Sequence, residues 1–128
     1  MKFSSASKTL IERHVPLVLG IFFLVGGSVN LVGPPPILAE YQLWGYPPWF
    51  HWVTGTIEIS TAGLMVLRKT RPYAALLGFC VMFGAATTLT THHAWIHAVL
   101  PVCVMLLLLY AYRKSIGKRE KRSERQVR

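Results

Sequence analysis

The sequence predicts an all-α membrane protein: a bundle of four transmembrane helices, with both termini in the cytoplasm and an outer aromatic loop between helices 1 and 2. Hydrophobic residues make up 52% of the 128-residue chain and charged residues only 15%, whereas a soluble domain carries about 25% charge. Four apolar segments are each long enough to cross a bilayer, which takes about 20 residues. All Lys and Arg residues fall on one predicted side of the bundle.

The first predicted helix runs from Val15 to about Val32, after a polar segment at residues 1–14. A secretory signal peptide also joins a basic start to an apolar run, but that run has only about 7–15 residues and ends at a small-residue cleavage site. Here the run is longer, and it ends at Gly33 and three consecutive prolines, Pro34 to Pro36, which stop a helix. We therefore expect a retained transmembrane helix.

The second predicted helix, Trp49 to Arg68, carries a carboxylate, Glu58, near its middle. An ionisable group at that depth costs roughly 2.5–3.5 kcal/mol on insertion scales, so it usually faces the bundle interior. The preceding loop, residues 34–48, is aromatic and contains no Lys or Arg. Within it, Ile37 to Trp44 can form a short helix in the membrane interface.

The third and fourth predicted helices run from Pro72 to about Thr91 and from about Ala94 to Tyr112. A basic turn, residues 68–71, joins helices 2 and 3. His92 and His93 form the turn between helices 3 and 4, which has no Lys or Arg.

Basic residues set the predicted orientation. All 14 Lys and Arg lie in residues 1–14, 68–71 and 113–128, and the two other loops have none. The positive-inside rule therefore places both termini in the cytoplasm, and we expect a cytoplasmic (plasma) membrane. The predicted organisation is a cytoplasmic N-terminal segment (1–14), a four-helix membrane domain (15–112) and a basic cytoplasmic tail (113–128).

A net charge of +9 can also indicate a nucleic-acid-binding protein. The distribution of the charge argues against that class, because no aromatic residue interleaves the tail and bases would have no stacking platform. We expect the bilayer as partner, through topology and attraction to anionic lipid. Binding of a partner protein by the tail stays open.

Polar residues of the second helix share one face. The face consists of His51, Thr54 or Gly55, Glu58 and Ala62, which follow the helical spacing of three, four and seven. His51 and Glu58 are about 10 Å apart along the axis. Small residues on this face let a neighbouring helix approach closely. The predicted helix-contact glycines are Gly20, Gly26, Gly27, Gly55, Gly63, Gly78 and Gly84.

Most uncharged polar residues of the other helices lie in the outer half of the bundle. This one-sided distribution predicts a polar cavity that opens outward and has Glu58 as its floor. The predicted lining is Asn30, His51, Thr54, Glu58, Thr88 and His92.

Two roles are open for Glu58. Burial favours the neutral form of a carboxyl group, so Glu58 can be neutral at pH 7 or share a proton with a histidine, and can then relay protons or bind a polar ligand group. Alternatively, a protonated Glu58 only hydrogen-bonds neighbouring helices. Such bonds average about 0.6 kcal/mol in membranes, which is too little to explain a carboxyl there for stability alone.

Two further sets of residues are weaker candidates. His93 and His97 have the i, i+4 spacing of helical metal ligands, but we favour interfacial histidines and expect no metal site. Cys80 and Cys103 both lie in apolar runs and form no C-x-x-C motif, so we expect small hydrophobic side chains rather than redox groups.

Several pieces of the sequence occur in an order that resembles the DoxX-like family of small four-helix membrane proteins. The pieces are Trp44-Gly45-Tyr46-Pro47 with Trp49-Phe50, Gly55-Thr56-Ile57-Glu58, a basic turn with Pro72, and Met82-Phe83-Gly84-Ala85 leading to Thr91-His92. The resemblance covers residues 15–112. It implies a compact four-helix bundle, with Glu58 and His92 as the family's polar pair.

The resemblance implies several functions, because the family includes quinone-linked sulfur oxidoreductase subunits, redox-complex partners and receptor-assembly chaperones. Our leading hypothesis is a small-ligand or quinone-associated module of a membrane redox system, with a membrane or redox protein as partner. Glu58, His92 and His51 would handle protons or bind the ligand. No cofactor beyond a quinone-like ligand is implied, and we expect no catalysis by this short chain alone.

The second hypothesis is a non-catalytic chaperone or scaffold that packs against a larger membrane complex. A third, a proton-coupled transporter, would need a homodimer, because four helices leave little room for alternating access.

Overall fold

The computed structural model describes residues 4–128, which form five helices and no strand. They are α1 (Ser5–Val32), α2 (Pro35–Leu43), α3 (Phe50–Val66), α4 (Arg71–Thr91) and α5 (Trp95–Val127). The predicted all-α fold is confirmed. Three of the helices, α1, α4 and α5, are long and apolar enough to cross a membrane. The short α2 forms where the aromatic loop was expected to contain a helix.

Two helices extend well beyond their apolar segments. α1 begins at Ser5 rather than at Val15, and α5 continues past Tyr112 to Val127. The apolar pattern marks where side chains change from apolar to polar, not where the backbone leaves the helix. Because Lys, Arg, Glu and Gln are good helix formers, the basic tail continues α5 without a break.

The helix ends follow local chemistry. Gly33 adopts φ +60°, and its N–H donates to the carbonyl oxygen of Val29 at 3.0 Å. This left-handed conformation costs glycine little, and it closes α1 before the prolines. At the α3–α4 turn, Thr70 Oγ1 donates to the carbonyl oxygen of Leu64 at 2.6 Å. That carbonyl lies in the last turn of α3, where it has no helical donor.

α1 packs antiparallel against α3 through two facing glycines. A Cβ added to Gly27 would lie 2.9 Å from the carbonyl oxygen of Gly55, and a Cβ added to Gly55 would lie 2.9 Å from that of Gly27. Gly78 of α4 similarly leaves room for the ring of Phe23. These three helix-contact predictions are confirmed.

Two other glycine predictions are wrong. A Cβ added to Gly63 or Gly84 would meet no atom within 4 Å. Gly84 lines the cavity between α3 and α4, and Gly63 is exposed, so neither meets a neighbouring helix. Spacing along the sequence alone does not reveal the side to which a glycine turns.

The antiparallel helices give the bundle two different ends. The basic end contains the start of α1, the α3–α4 turn (residues 67–70) and the tail part of α5. The α2 end contains α2 and the α4–α5 turn (residues 92–94). The apolar core lies mostly towards the basic end. Its members are Leu19, Phe23, Ala62, Met65, Ala74, Ala75, Met82, Val104, Leu108 and Ala111.

An ion-pair cluster joins α1 to α5 at the basic end. The two carboxylate oxygens of Glu12 lie 3.0 Å from Lys114 Nζ and 2.9 Å from Lys118 Nζ. Glu12 precedes the apolar part of α1. Hydrogen bonds from Lys118 and Lys114 lower the pKa of the Glu12 carboxyl below its ordinary value.

Candidate functional site

A cavity of about 360 Å³ opens between α3 and α4 at the α2 end of the bundle. Most of its wall is apolar, and four aromatic side chains from α2, the following turn and the first residue of α3 contribute to it. These are Tyr41, Trp44, Tyr46 and Phe50. Asn30 and Glu58 also line the cavity and supply polar atoms. Such a cavity, mostly apolar with a few fixed polar groups, is typical of a small-molecule site.

A hydrogen-bonded chain of side chains links three helices beside this cavity. Glu58 on α3 is only 5% exposed, and its Oε2 accepts a hydrogen bond from Asn30 Nδ2 on α1 at 2.7 Å. Asn30 Oδ1 in turn accepts a hydrogen bond from the hydroxyl of Tyr41 on α2 at 3.1 Å. The amide of Asn30 is therefore oriented by two partners, and it holds one side of the carboxyl group.

Gly26 makes space for the same carboxyl group. A Cβ added at Gly26 would lie 3.4 Å from Glu58 Oε1 and 3.6 Å from Oε2. Within residues 4–128, Oε1 accepts no hydrogen bond, and no buried side-chain oxygen or nitrogen lacks a partner. Oε1 is therefore not fully buried, and Glu58 is one of the residues that line the cavity.

His51 lies next to the cavity rather than in its wall. The side chain is buried, and Nδ1 lies 2.7 Å from the main-chain carbonyl oxygen of Asn30. Because a carbonyl only accepts, Nδ1 is the donor. This carbonyl belongs to the last turn of α1, where helical donors are absent. His51 thus caps α1 and fixes the backbone that carries Asn30, and its predicted place in the cavity lining is wrong.

Tyr46 attaches the turn after α2 to α4. Its hydroxyl lies 2.5 Å from Thr88 Oγ1, and Thr88 Oγ1 also lies 3.0 Å from the carbonyl oxygen of Gly84. Thr88 donates its one hydroxyl proton to that carbonyl, so Tyr46 donates to Thr88. The Tyr46 ring stacks on Phe50 with centroids 4.4 Å apart and planes 3° apart. These contacts hold the turn after α2 against α4 beside the cavity.

The structure brings together four of the six predicted cavity residues. Asn30, Thr54, Glu58 and Thr88 all line the same cavity. Thr54 Oγ1 donates to the carbonyl oxygen of Phe50 at 3.2 Å, which satisfies that hydroxyl within its own helix.

His92 is not among the residues that line this cavity, so the structure does not bring the predicted pair of Glu58 and His92 together in it. His92 lines a second cavity of about 620 Å³, together with Glu40 and His97. The two cavities adjoin, because Met82, Ala85 and Leu89 of α4 line both of them. Thr88 lines only the first cavity, and His92 lines only the second.

The predicted i, i+4 pair of His93 and His97 does not form on one helix. α4 ends at Thr91, His93 has φ +60°, and α5 begins only at Trp95. Across residues 4–128, no group of three or more His, Cys, Asp or Glu side chains is placed to hold a metal ion.

The sequence did not identify the cavity's aromatic residues as site residues. Tyr41, Trp44 and Tyr46 were predicted only as parts of an interfacial loop. The feature of the sequence that could have identified them is the high density of aromatic and proline residues in residues 34–48. Cys80 also lines the cavity and is exposed there, rather than buried as a packing residue.

A comparison of the sequence with known protein families identifies the family of this chain. The sequence model of the DoxX-like family matches residues 15–111. The chain belongs to the DoxX-like family. Together with the apolar α1, α4 and α5, this makes it a membrane protein.

This DoxX-like chain is similar to the uncharacterized protein YdgD of Bacillus subtilis (strain 168). It is 25% identical over 111 residues, which cover 84% of this chain and 97% of that protein. No solved structure matches the chain significantly.

Proposed function

We propose that this DoxX-like protein crosses the plasma membrane four times, with both termini in the cytoplasm. The α3 helix has 17 residues and is about 25 Å long, which is at the short end of the range for a transmembrane helix. Because α3 runs antiparallel to α1, the basic α3–α4 turn lies at the same end as the N-terminal segment and the tail. The positive-inside rule supports a cytoplasmic position for that end.

The cavity between α3 and α4 binds a small, mostly apolar molecule that carries a carbonyl or hydroxyl group, and a quinone fits this description best. Its volume of about 360 Å³ lies within the range of about 300–1,000 Å³ for small-molecule sites. The aromatic and aliphatic walls suit a ring, while the polar atoms lie on the side of Asn30 and Glu58. The ligand would enter the cavity from within the bilayer.

The observation that carries this proposal is the geometry of Glu58. One carboxyl oxygen is held by Asn30, Oε1 accepts no hydrogen bond within residues 4–128, and Glu58 lines the cavity. A carboxyl group this deep in a membrane is costly, which favours a role in binding or proton transfer. When protonated, it donates a hydrogen bond to a ligand carbonyl. When ionised, it accepts one from a ligand hydroxyl.

In this proposal the protein is a quinone-associated module of a membrane redox system. Glu58 contacts the ligand and holds a proton beside it. Asn30, Tyr41 and His51 position Glu58 and do not need to touch the ligand. His92 has no part in this cavity, so a proton path from Glu58 to His92 is not included.

Two substitutions of Glu58 test the proposal. Glu58→Met removes the carboxyl group at similar size, and Glu58→Gln keeps the hydrogen bond with Asn30 but cannot exchange a proton. We expect Glu58→Met to weaken binding of a short-chain ubiquinone analogue about tenfold, the effect of losing one hydrogen bond to a buried polar group. Glu58→Gln should bind with an affinity that no longer depends on pH.

The matched control is Glu40→Met, the same change at an exposed carboxyl group that lines the other cavity. Binding would be measured by titration in nanodiscs, and molecules retained from the membrane would be identified by mass spectrometry. If Glu58→Met binds the analogue as tightly as the wild type and retains the same molecules, the ligand proposal is wrong. The search should then turn to the scaffold hypothesis and to protein partners.

A further inference from the structure

A third cavity lies at the basic end of the bundle, and its lining is cationic rather than apolar. It has a volume of about 390 Å³ and is formed by the start of α1, the α3–α4 turn, the first turn of α4 and the tail part of α5. We call it the basic groove. Its cationic lining residues are Arg13, Arg68, Arg71, Lys118, Arg119 and Arg122.

The positive charge of the basic groove is largely uncompensated. Glu12 is the one acidic residue among its lining residues, and it already pairs with Lys118 at 2.9 Å and with Lys114 at 3.0 Å. The acidic residues of the tail, Glu120 and Glu124, are not among the lining residues. Five arginines therefore converge on a groove in which the single carboxylate is already neutralised.

Two of these arginines are held in place by main-chain carbonyls. Arg71 Nε donates to the carbonyl oxygen of Met65 at 3.0 Å. Arg119 Nη2 donates to the carbonyl oxygen of Lys69, and its guanidinium lies 5.6 Å from the centroid of the Tyr73 ring. Each keeps further N–H groups for another acceptor. Because their orientation is already fixed, binding an anion would cost them little side-chain entropy.

The type of residue points to the type of anion. The guanidinium group presents N–H donors in a fixed fork that matches the geometry of phosphate, which is why arginine is common at phosphate sites. The basic groove also lies just beyond the apolar part of the bundle, because α1 becomes apolar at Val15, α4 at Pro72, and α5 turns polar after Tyr112. This is the depth of lipid headgroups, provided that these helices cross the bilayer.

We propose that the basic groove binds the phosphate group of an anionic membrane lipid, such as phosphatidylglycerol or cardiolipin. The site is independent of the cavity beside Glu58. A basic tail is attracted to anionic lipid in general, and the proposal assigns the binding to a defined set of side chains. A soluble phosphate compound offers the same chemistry, so the test has to separate the two sources.

The test compares two double variants with equal changes in charge. Arg68→Gln with Arg122→Gln removes two arginines of the basic groove that take part in no hydrogen bond or ion pair with the rest of residues 4–128. Arg125→Gln with Arg128→Gln removes two arginines that line a separate shallow depression at the end of the tail. Both pairs lower the net charge equally.

The readout is native mass spectrometry of the full chain from neutral detergent, titrated with cardiolipin, phosphatidylglycerol and phosphatidylcholine, and separately with inorganic pyrophosphate. We expect the wild type to bind the two anionic lipids and the control pair to bind them within about twofold of the wild type. The groove variant should bind them about tenfold to thirtyfold more weakly.

Three outcomes would overturn the proposal. Equal weakening in both double variants would show general charge attraction without a site. Equal binding of phosphatidylcholine would show that the anionic charge is not recognised. Binding of inorganic pyrophosphate at the groove without binding of the anionic lipids would assign the groove to a soluble ligand. The thermal stability of each variant, measured in parallel, identifies any loss that comes from misfolding.

Discussion

The two ends of this bundle are built from the same helices but hold together in different ways. Towards the basic end, apolar side chains such as Phe23, Met65 and Leu108 are almost fully buried and pack without polar contacts. At the α2 end, the helices are joined by hydrogen bonds between Glu58, Asn30 and Tyr41 around an open cavity. The core at the basic end thus depends on apolar packing, whereas the α2 end depends on hydrogen bonds beside a cavity.

The difference follows from where the small residues lie. Gly78 lets α4 approach Phe23 and Thr61, and thus brings the two helix pairs together below the cavity. Towards the α2 end, larger side chains such as Phe50 and Val81 line the space between α3 and α4. Tyr41 of α2 and the following Trp44 and Tyr46 also line this space.

The largest effect is expected from truncating the core at the basic end. Phe23→Ala removes a fully buried ring, and we expect it to lower the free energy of unfolding by about 3–5 kcal/mol. The control, Leu24→Ala, changes a neighbouring side chain that is 51% exposed and should cost much less. Unfolding in mixed micelles, followed by circular dichroism, measures both. Equal losses would contradict the view that the basic end carries the packing.

A smaller but still large effect is expected at the α1–α3 contact. Gly27→Ala places a methyl group 2.9 Å from the carbonyl oxygen of Gly55 and 2.9 Å from the backbone nitrogen of Ile59, so the helices must separate. Overpacking of this kind costs about 1–3 kcal/mol. Because Asn30 and Glu58 bridge the same two helices, the variant should also weaken quinone binding.

The matched change for that test is Gly63→Ala. It places the methyl group in open space, so both stability and binding should stay close to the wild type. If Gly27→Ala also leaves both unchanged, the close approach of α1 and α3 does not position the site.

Loss of Asn30 from the polar network at the α2 end should lower the free energy of unfolding by about 1–3 kcal/mol. Asn30→Ala leaves Glu58 buried without its donor, and that penalty falls in this range. Tyr41→Phe removes only the bond to Asn30 and should cost less, near the average of about 0.6 kcal/mol for membrane hydrogen bonds. Thermal unfolding of both variants checks the order. A larger loss for Tyr41→Phe would show that α2, not Glu58, depends most on the network.

The smallest effect is expected for the ion pairs of Glu12, which are partly exposed and therefore weak. Hydrogen bonds from Lys118 and Lys114 lower the pKa of Glu12 below 4.5, so the folded protein binds this proton less tightly than the unfolded chain does. The stabilisation is complete above the ordinary pKa and is lost as the pH falls through the lowered value.

Glu12→Gln should therefore have a slightly lower Tm than the wild type at pH 7, and the difference should disappear as the pH falls through the lowered pKa of Glu12. Differential scanning fluorimetry over this range measures it. A Tm difference that persists unchanged at low pH would mean that Glu12 acts through packing rather than through its charge.

The helices, the separation of the basic and aromatic ends, and the grouping of Glu58 with Asn30, Thr54 and Thr88 at one cavity could be predicted from the sequence. These features depend on local composition and on spacing along one helix. Contacts between helices set the rest: His51 caps α1, His92 lines a neighbouring cavity, and Tyr41 and Tyr46 line the cavity beside Glu58. The rotation of each helix about its axis depends on which small and large side chains meet across helices, and no single segment contains that information.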